Sequence, residues 1–243
     1  MPLKRNCITG DMSPVCRPKS IGLCFSRFAG GDTHGETDTI LISLRKGDGN
    51  TVKQIYLYGD SNTYGYVYHD WSGGRYPETV RWTGIVKKAL EEEASLLEDG
   101  LNGRPLPSLP RDERKLSSIL SYLESGDLLF VMLGTNDIAY SFPPDPEEPI
   151  DKMNDLLRWL KEHATDIDVL VIAPPCPRVE HSEFYDMSLR MNEGFETLCR
   201  EYGFYFADAE RWNIPMQSDG IHFSEEGHRI FAEKLLELLH SDF

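Results

Sequence analysis

The chain has 243 residues, 40% hydrophobic and 27% charged, enough for one large domain with a core on both faces of a sheet. Forty acidic against twenty-five basic residues leave a net charge of −15. Such a surface repels nucleic acid and anionic membranes, so neither is expected as a partner, while small neutral substrates feel little of it. No run approaches the roughly 18 apolar residues of a spanning helix, and residues 1–20 hold no secretory apolar core. Cys7, Cys16, Cys24, Cys176 and Cys199 are odd in number and form no CxxC pair. Reduced thiols in a cytoplasmic protein are expected, without a zinc site or a disulfide framework.

Residues 1–50 differ from the rest, being rich in Gly, Ser, Thr, Arg and Lys. Their one strand-like piece is 39–44, followed by turn formers at 47–50. They read as an N-terminal arm, peripheral or disordered, ahead of a domain spanning 51–243.

From Lys53 onward, strands alternate with helices. Residues 55–58 form the first strand, and 64–76 an aromatic, glycine-rich loop with Tyr64, Tyr66, Tyr68, Trp71 and Tyr76. Helical spacing of Trp82, Ile85, Val86 and Leu90 predicts a helix over 80–90. A weak strand at 94–97 runs into a Gly-containing loop, and Leu116, Ile119, Leu120 and Leu123 predict a helix over 111–123. The continuous apolar run 128–133 is the pattern of a strand covered on both faces. A helix at 150–163, a strand at 169–172, a helix at 188–202, a short strand at 204–206 and a closing helix at 225–239 complete the chain. This alternation predicts an α/β protein, a three-layer α/β/α domain with a parallel sheet.

Three strand-end blocks carry chemistry. Gly59-Asp60-Ser61-Asn62-Thr63 follows the first strand and presents a small hydroxyl at a bend. Gly134-Thr135-Asn136-Asp137 follows the third strand, and Asp219-Gly220-Ile221-His222 precedes the last helix. Parallel sheets bind ligands at this edge. Acyl transfer needs a nucleophile, a base, a group that orients the base, and donors for the oxyanion. Ser61 supplies the first. His222 and Asp219, three residues apart in a turn, supply the next two. Gly100, after the second strand, lets a backbone N–H approach a ligand, and Asn136 offers a side-chain N–H. Each block alone has an ordinary explanation as a strand-ending turn, an Asx turn or a chance Asp-x-x-His. All three in order at one sheet edge are harder to dismiss.

In these blocks the chain resembles the SGNH hydrolases, the GDSL-type esterases and lipases, with Asn62 where Leu is more usual. Arg81-Trp82 and Glu98-Asp99-Gly100-Leu101-Asn102-Gly103-Arg104 resemble its arylesterase and acetyl-sugar esterase branch. The likeness runs from about Gln54 to Leu239. It implies a flavodoxin-like, doubly wound five-stranded parallel sheet of order 2-1-3-4-5. It also implies Ser61 as nucleophile, His222 as base then acid, Asp219 as its orienting residue, and an oxyanion hole from Ser61, Gly100 and Asn136. The implied function is a serine esterase that removes short, chiefly acetyl, groups from carbohydrates or aryl and alkyl alcohols. No cofactor or metal is implied, the partner is a small-molecule ester, and a homo-oligomer stays open.

Other residues read as support. Asp60 and Asp137 read as structural anchors, Arg104 as a salt-bridge residue or a substrate contact, and Cys176 as an unactivated thiol near the cleft. His69 and His181 lie in loops near the edge. His34, His163, His228 and His240 read as solvent-facing. Competing functions are a lysophospholipase or thioesterase-type hydrolase, a non-catalytic acyl-sugar binder and a receiver-like signalling module. Asp60 stands without the acid cluster and lysine that a receiver needs.

Overall fold

The strands at the middle of the sheet form where apolar runs are covered from both sides. In the computed structural model, β1 (Lys53–Gly59), β2 (Ala94–Gly100), β3 (Leu128–Met132), β4 (Asp168–Ala173) and β5 (Tyr205–Asp208) make one parallel sheet. Their order is β2-β1-β3-β4-β5, the doubly wound arrangement expected. The structure describes residues 53–239 apart from positions 71, 142, 144, 180 and 181. The arm 1–50, with its strand at 39–44 and turn at 47–50, lies outside the described residues. So do Trp71, His34, His181, His240, Cys7, Cys16 and Cys24.

The two-residue period of β3 divides the core. Leu129 and Val131 face one layer, while Leu128, Phe130 and Met132 face the other, and all five are buried. The first layer is covered by α3 (Glu113–Leu120), α5 (Glu147–His163) and α6 (Ser182–Tyr202), through Leu116, Leu156, Leu160 and Phe195. The second is covered by α2 (Trp82–Ala89) and α7 (Glu225–Leu239), through Trp82, Val86, Phe231 and Leu235. Trp82, Phe130, Phe223 and Phe231 pack ring against ring there, with centroids about 5 Å apart.

Register sets the site. Gly59 at the end of β1 pairs with Gly100 of β2 and Met132 of β3. Three strands therefore stop level, and their next residues emerge on one edge. Two short helices absent from the sequence reading begin there, α1 (Ser61–Tyr64) and α4 (Thr135–Tyr140). Asp60 caps α1 by accepting the Asn62 N–H at 2.9 Å, and Gly65 ends it in the left-handed region at φ 84°. α6 begins six residues before the expected 188. β2 continues to Gly100 beyond the expected 97.

Candidate active site

The β1 end and the loop before α7 meet across about 160 residues of sequence. His222 Nε2 stands 3.0 Å from Ser61 Oγ, and its Nδ1 stands 2.6 Å from Asp219 Oδ2. An ionised carboxylate can only accept, so the Nδ1 facing Asp219 carries a proton and Nε2 is left to accept from the Ser61 hydroxyl. Asp219 Oδ1 also accepts the Ile221 and His222 backbone N–H groups at 3.0 and 3.1 Å. Burial pushes the Asp219 carboxyl up, but these bonds outweigh it and hold the group below the usual carboxylate range. The arrangement can move a proton from Ser61 to His222 and keep the resulting imidazolium paired.

The cleft beside Ser61 has a volume of about 380 Å³. Tyr66, Gly103, Asn136, Tyr140 and His222 line it together with Ser61. The Tyr66 ring packs on His222, centroids 4.7 Å apart, which brings this residue of the aromatic loop to the cleft. Tyr140 is 75% exposed at the cleft.

Asn136 is held by donating from Nδ2 to the Arg104 carbonyl at 3.0 Å, with Asp60 Oδ2 at 3.5 Å. An amide NH₂ has two hydrogens, and this geometry fully commits only one of them. Gly100 is placed differently from expectation. It lies against the turn of α1, where an added Cβ would come within 2.2 Å of the Tyr64 nitrogen, and it does not line the cleft. Its small size serves close packing. The glycine that lines the cleft is Gly103, three residues on. Leu101 to Arg104 form a turn closed by the Arg104 N–H to the Leu101 carbonyl at 3.1 Å, with Gly103 at φ 71°. That φ suits glycine at the third position of a turn, and the Asn-Gly pair in the sequence was the signal for it.

The remaining residues fall into place around this core. Asp60 is buried, which raises its carboxyl to about 6 against the lowering effect of the Asn62 N–H and the nearby His222 and Arg104. Asp137 accepts the Leu106 N–H at 2.9 Å and pairs with Lys152 at 3.0 Å, an anchor as expected. Arg104 is buried, pairs with Asp99 at 2.5 Å, donates to the Gly59 carbonyl at 2.9 Å and covers the Tyr58 ring. It ties the 101–104 turn to the end of β1. Cys176 is buried, and burial pushes its thiol up, as fits an unactivated thiol. His69 Nε2 meets Ser218 Oγ at 3.3 Å, and its ring lies against Tyr68 with centroids 4.0 Å apart. His228 corrects the sequence reading. It is 1% exposed, packed between Tyr76 and Phe223, and burial lowers it to about 3. Among the described residues no group of three or more His, Cys, Asp or Glu side chains is set to hold a metal.

A serine at the end of β1, lined up with a histidine and an aspartate from the loop before α7, is the arrangement of a serine hydrolase. The chain belongs to the GDSL-like lipase/acylhydrolase family, whose model matches residues 57–230, and it is a carboxylic ester hydrolase. It is similar to Est24, a carbohydrate acetylesterase from Sinorhizobium meliloti, at 27% identity and a TM-score of 0.63, covering 77% of this chain and 100% of that one. The aryl esterase of M. smegmatis is 28% identical with a TM-score of 0.61, over 77% and 100% of the two chains. A Bacillus subtilis (strain 168) protein named as the lipoprotein YqeF is 23% identical, over 78% of this chain and 80% of that one.

Proposed function

We propose that the protein hydrolyses short-chain esters, chiefly acetyl esters of carbohydrates or of aryl and alkyl alcohols, through an acyl-enzyme on Ser61. The observation that carries this reading is the continuous line from Asp219 through His222 to Ser61, with contacts of 2.6 and 3.0 Å. Ser61 Oγ attacks the ester carbonyl carbon while its proton passes to His222 Nε2. The carbonyl oxygen becomes an oxyanion. His222 then gives the proton to the leaving alcohol oxygen, and the acyl group stays on Ser61. Water attacks the acyl carbon with His222 again as base, releasing the acid and restoring the serine.

Three donors suit the oxyanion: the backbone N–H of Ser61, the backbone N–H of Gly103 in place of that of Gly100, and Asn136 Nδ2, whose contact with Asp60 Oδ2 is weak at 3.5 Å. The Ser61 and Gly103 N–H groups have no protein acceptor among the described residues. Removing one such donor typically costs about 100- to 1,000-fold in kcat. A cleft of about 380 Å³ is near the lower end of ligand sites, which favours a small acyl group. The name of Est24, a carbohydrate acetylesterase, agrees with a small acyl group, and that of the M. smegmatis aryl esterase with an aryl alcohol.

The test is a chain-length series of p-nitrophenyl esters beside acetylated sugars and aryl acetates. Acetate should be the best acyl group, and Ser61→Ala should abolish turnover. Full activity in Ser61→Ala would overturn the nucleophile. A preference for long chains would overturn the substrate class.

A further inference from the structure

Asn62 stands beside Ser61 where the resembling family more usually has Leu. Its side chain is buried and reaches across 159 to 161 residues of sequence to the loop that carries His222. Nδ2 donates to the Ile221 carbonyl at 3.1 Å, and Oδ1 accepts the Phe223 N–H at 2.9 Å. These two backbone groups flank His222 on either side. The pairing also fixes the amide's orientation, because a flipped side chain would set donor against donor and acceptor against acceptor. The Asn62 main chain is itself fixed, since its carbonyl accepts the Trp82 indole N–H at 2.9 Å.

We infer that Asn62 is a positioning residue for the reaction: its side-chain amide clamps the backbone around His222 and sets the base at hydrogen-bond distance from Ser61. The inference rests on the reading of His222 as the base. A leucine at this place fills similar space but leaves the Ile221 carbonyl and the Phe223 N–H without their partner. The loop would not unfold, because Gln217 still donates its backbone N–H to the His222 carbonyl at 2.7 Å and its Nε2 to the Phe223 carbonyl at 3.0 Å. It would relax, and an ångström of misplacement at a proton-transfer contact is enough to slow the step markedly.

The experiment is a double-mutant cycle between Asn62→Leu and His222→Ala, read with p-nitrophenyl acetate well below each melting temperature. Asn62→Leu alone should lower kcat about 10- to 100-fold, with KM within about twofold. Labelling of Ser61 by an organophosphate, which needs the same base, should slow in step. In the His222→Ala background, Asn62→Leu should cost no more than about twofold, because the residue it acts through is gone. Asn62→Ala removes the same two bonds without adding bulk, and should reproduce these results if the leucine variant folds poorly. Unchanged kcat in the folded single variants would overturn the inference. So would a loss that persists in full without His222, the mark of a purely structural role. If His222→Ala is itself fully active, the base assignment fails and the inference falls with it. If His222→Ala is strongly impaired and its residual activity gives an additive cycle, the inference alone fails.

Discussion

At the scale of single residues, the two glycines after β2 do opposite work, and their substitutions separate it. Gly100 is small because the α1 backbone lies against it. Gly103 is glycine because its φ of 71° is costly for any residue with a Cβ, by about 1–2 kcal/mol. Gly100→Ala is expected to fail in folding, seen as a large drop in melting temperature or in soluble yield. Gly103→Ala has room for its methyl, whose nearest neighbour would be the Tyr140 hydroxyl at 3.4 Å. It should fold, yet relaxing the strain turns the 103 N–H away from the cleft. Its kcat should fall about 100-fold or more, while the melting temperature falls only by the few degrees that the strain costs. The reverse pattern would return the donor role to Gly100. Sequence alone made Gly100 the natural choice because it follows a strand. The register that lays it against Tyr64, and the turn that carries the chain back to the cleft, are tertiary facts.

Among the elements, legibility tracked length and burial. β3 and β4 stood out because both faces are covered, leaving uninterrupted apolar runs. α7 was readable to the residue from its apolar spacing. The short α1 and α4 were not, since four and six residues are too few to show a helical period. The start of α6 was missed because its early apolar residues, Phe184 and Met187, are only partly buried. His228 is instructive in the other direction. It sits three and four residues before Phe231 and Ala232, on the buried stripe of α7, so the period did mark it as a core residue. Its polarity argued the other way and misled. Side-chain links between elements were beyond the pattern altogether. Lys152 of α5 reaches Asp137 of α4 at 3.0 Å, and that carboxylate is 1% exposed. Lys152→Met would leave it buried with only the Leu106 N–H, so stability should fall by about 1–3 kcal/mol, less than for a fully buried pair because Lys152 is partly exposed. Denaturant unfolding measures this, and an unchanged midpoint would mean that water already compensates Asp137.

For the whole molecule, two buried groups set opposing responses to acid. His228 is lowered to about 3 by burial, against an ordinary value near 6.5. The unfolded chain therefore binds its proton first, and the stability it contributes, present above about pH 6.5, is lost as pH falls toward 3. Asp60 is raised to about 6 by burial, so the native state holds its proton more tightly than the unfolded chain. The stability it contributes is present below about pH 4 and is lost as pH rises through 6. Each group contributes a slope of about 1.4 kcal/mol per pH unit, of opposite sign, and between about pH 4 and 6 the two largely cancel. Replacing either one should uncover the other. Relative to the parent protein, His228→Gln should gain stability as pH is lowered from 6 to 4, because the acid-labile group is gone and Asp60 still favours the protonated fold. Asp60→Asn should lose stability over the same interval. It should also be more stable than the parent at pH 8, where the parent must bury an ionised carboxylate, by on the order of 3 kcal/mol. Unfolding curves at pH 4, 6 and 8 for the three proteins decide the matter: two variants that shift in the same direction with pH would show that these buried groups do not govern the acid response.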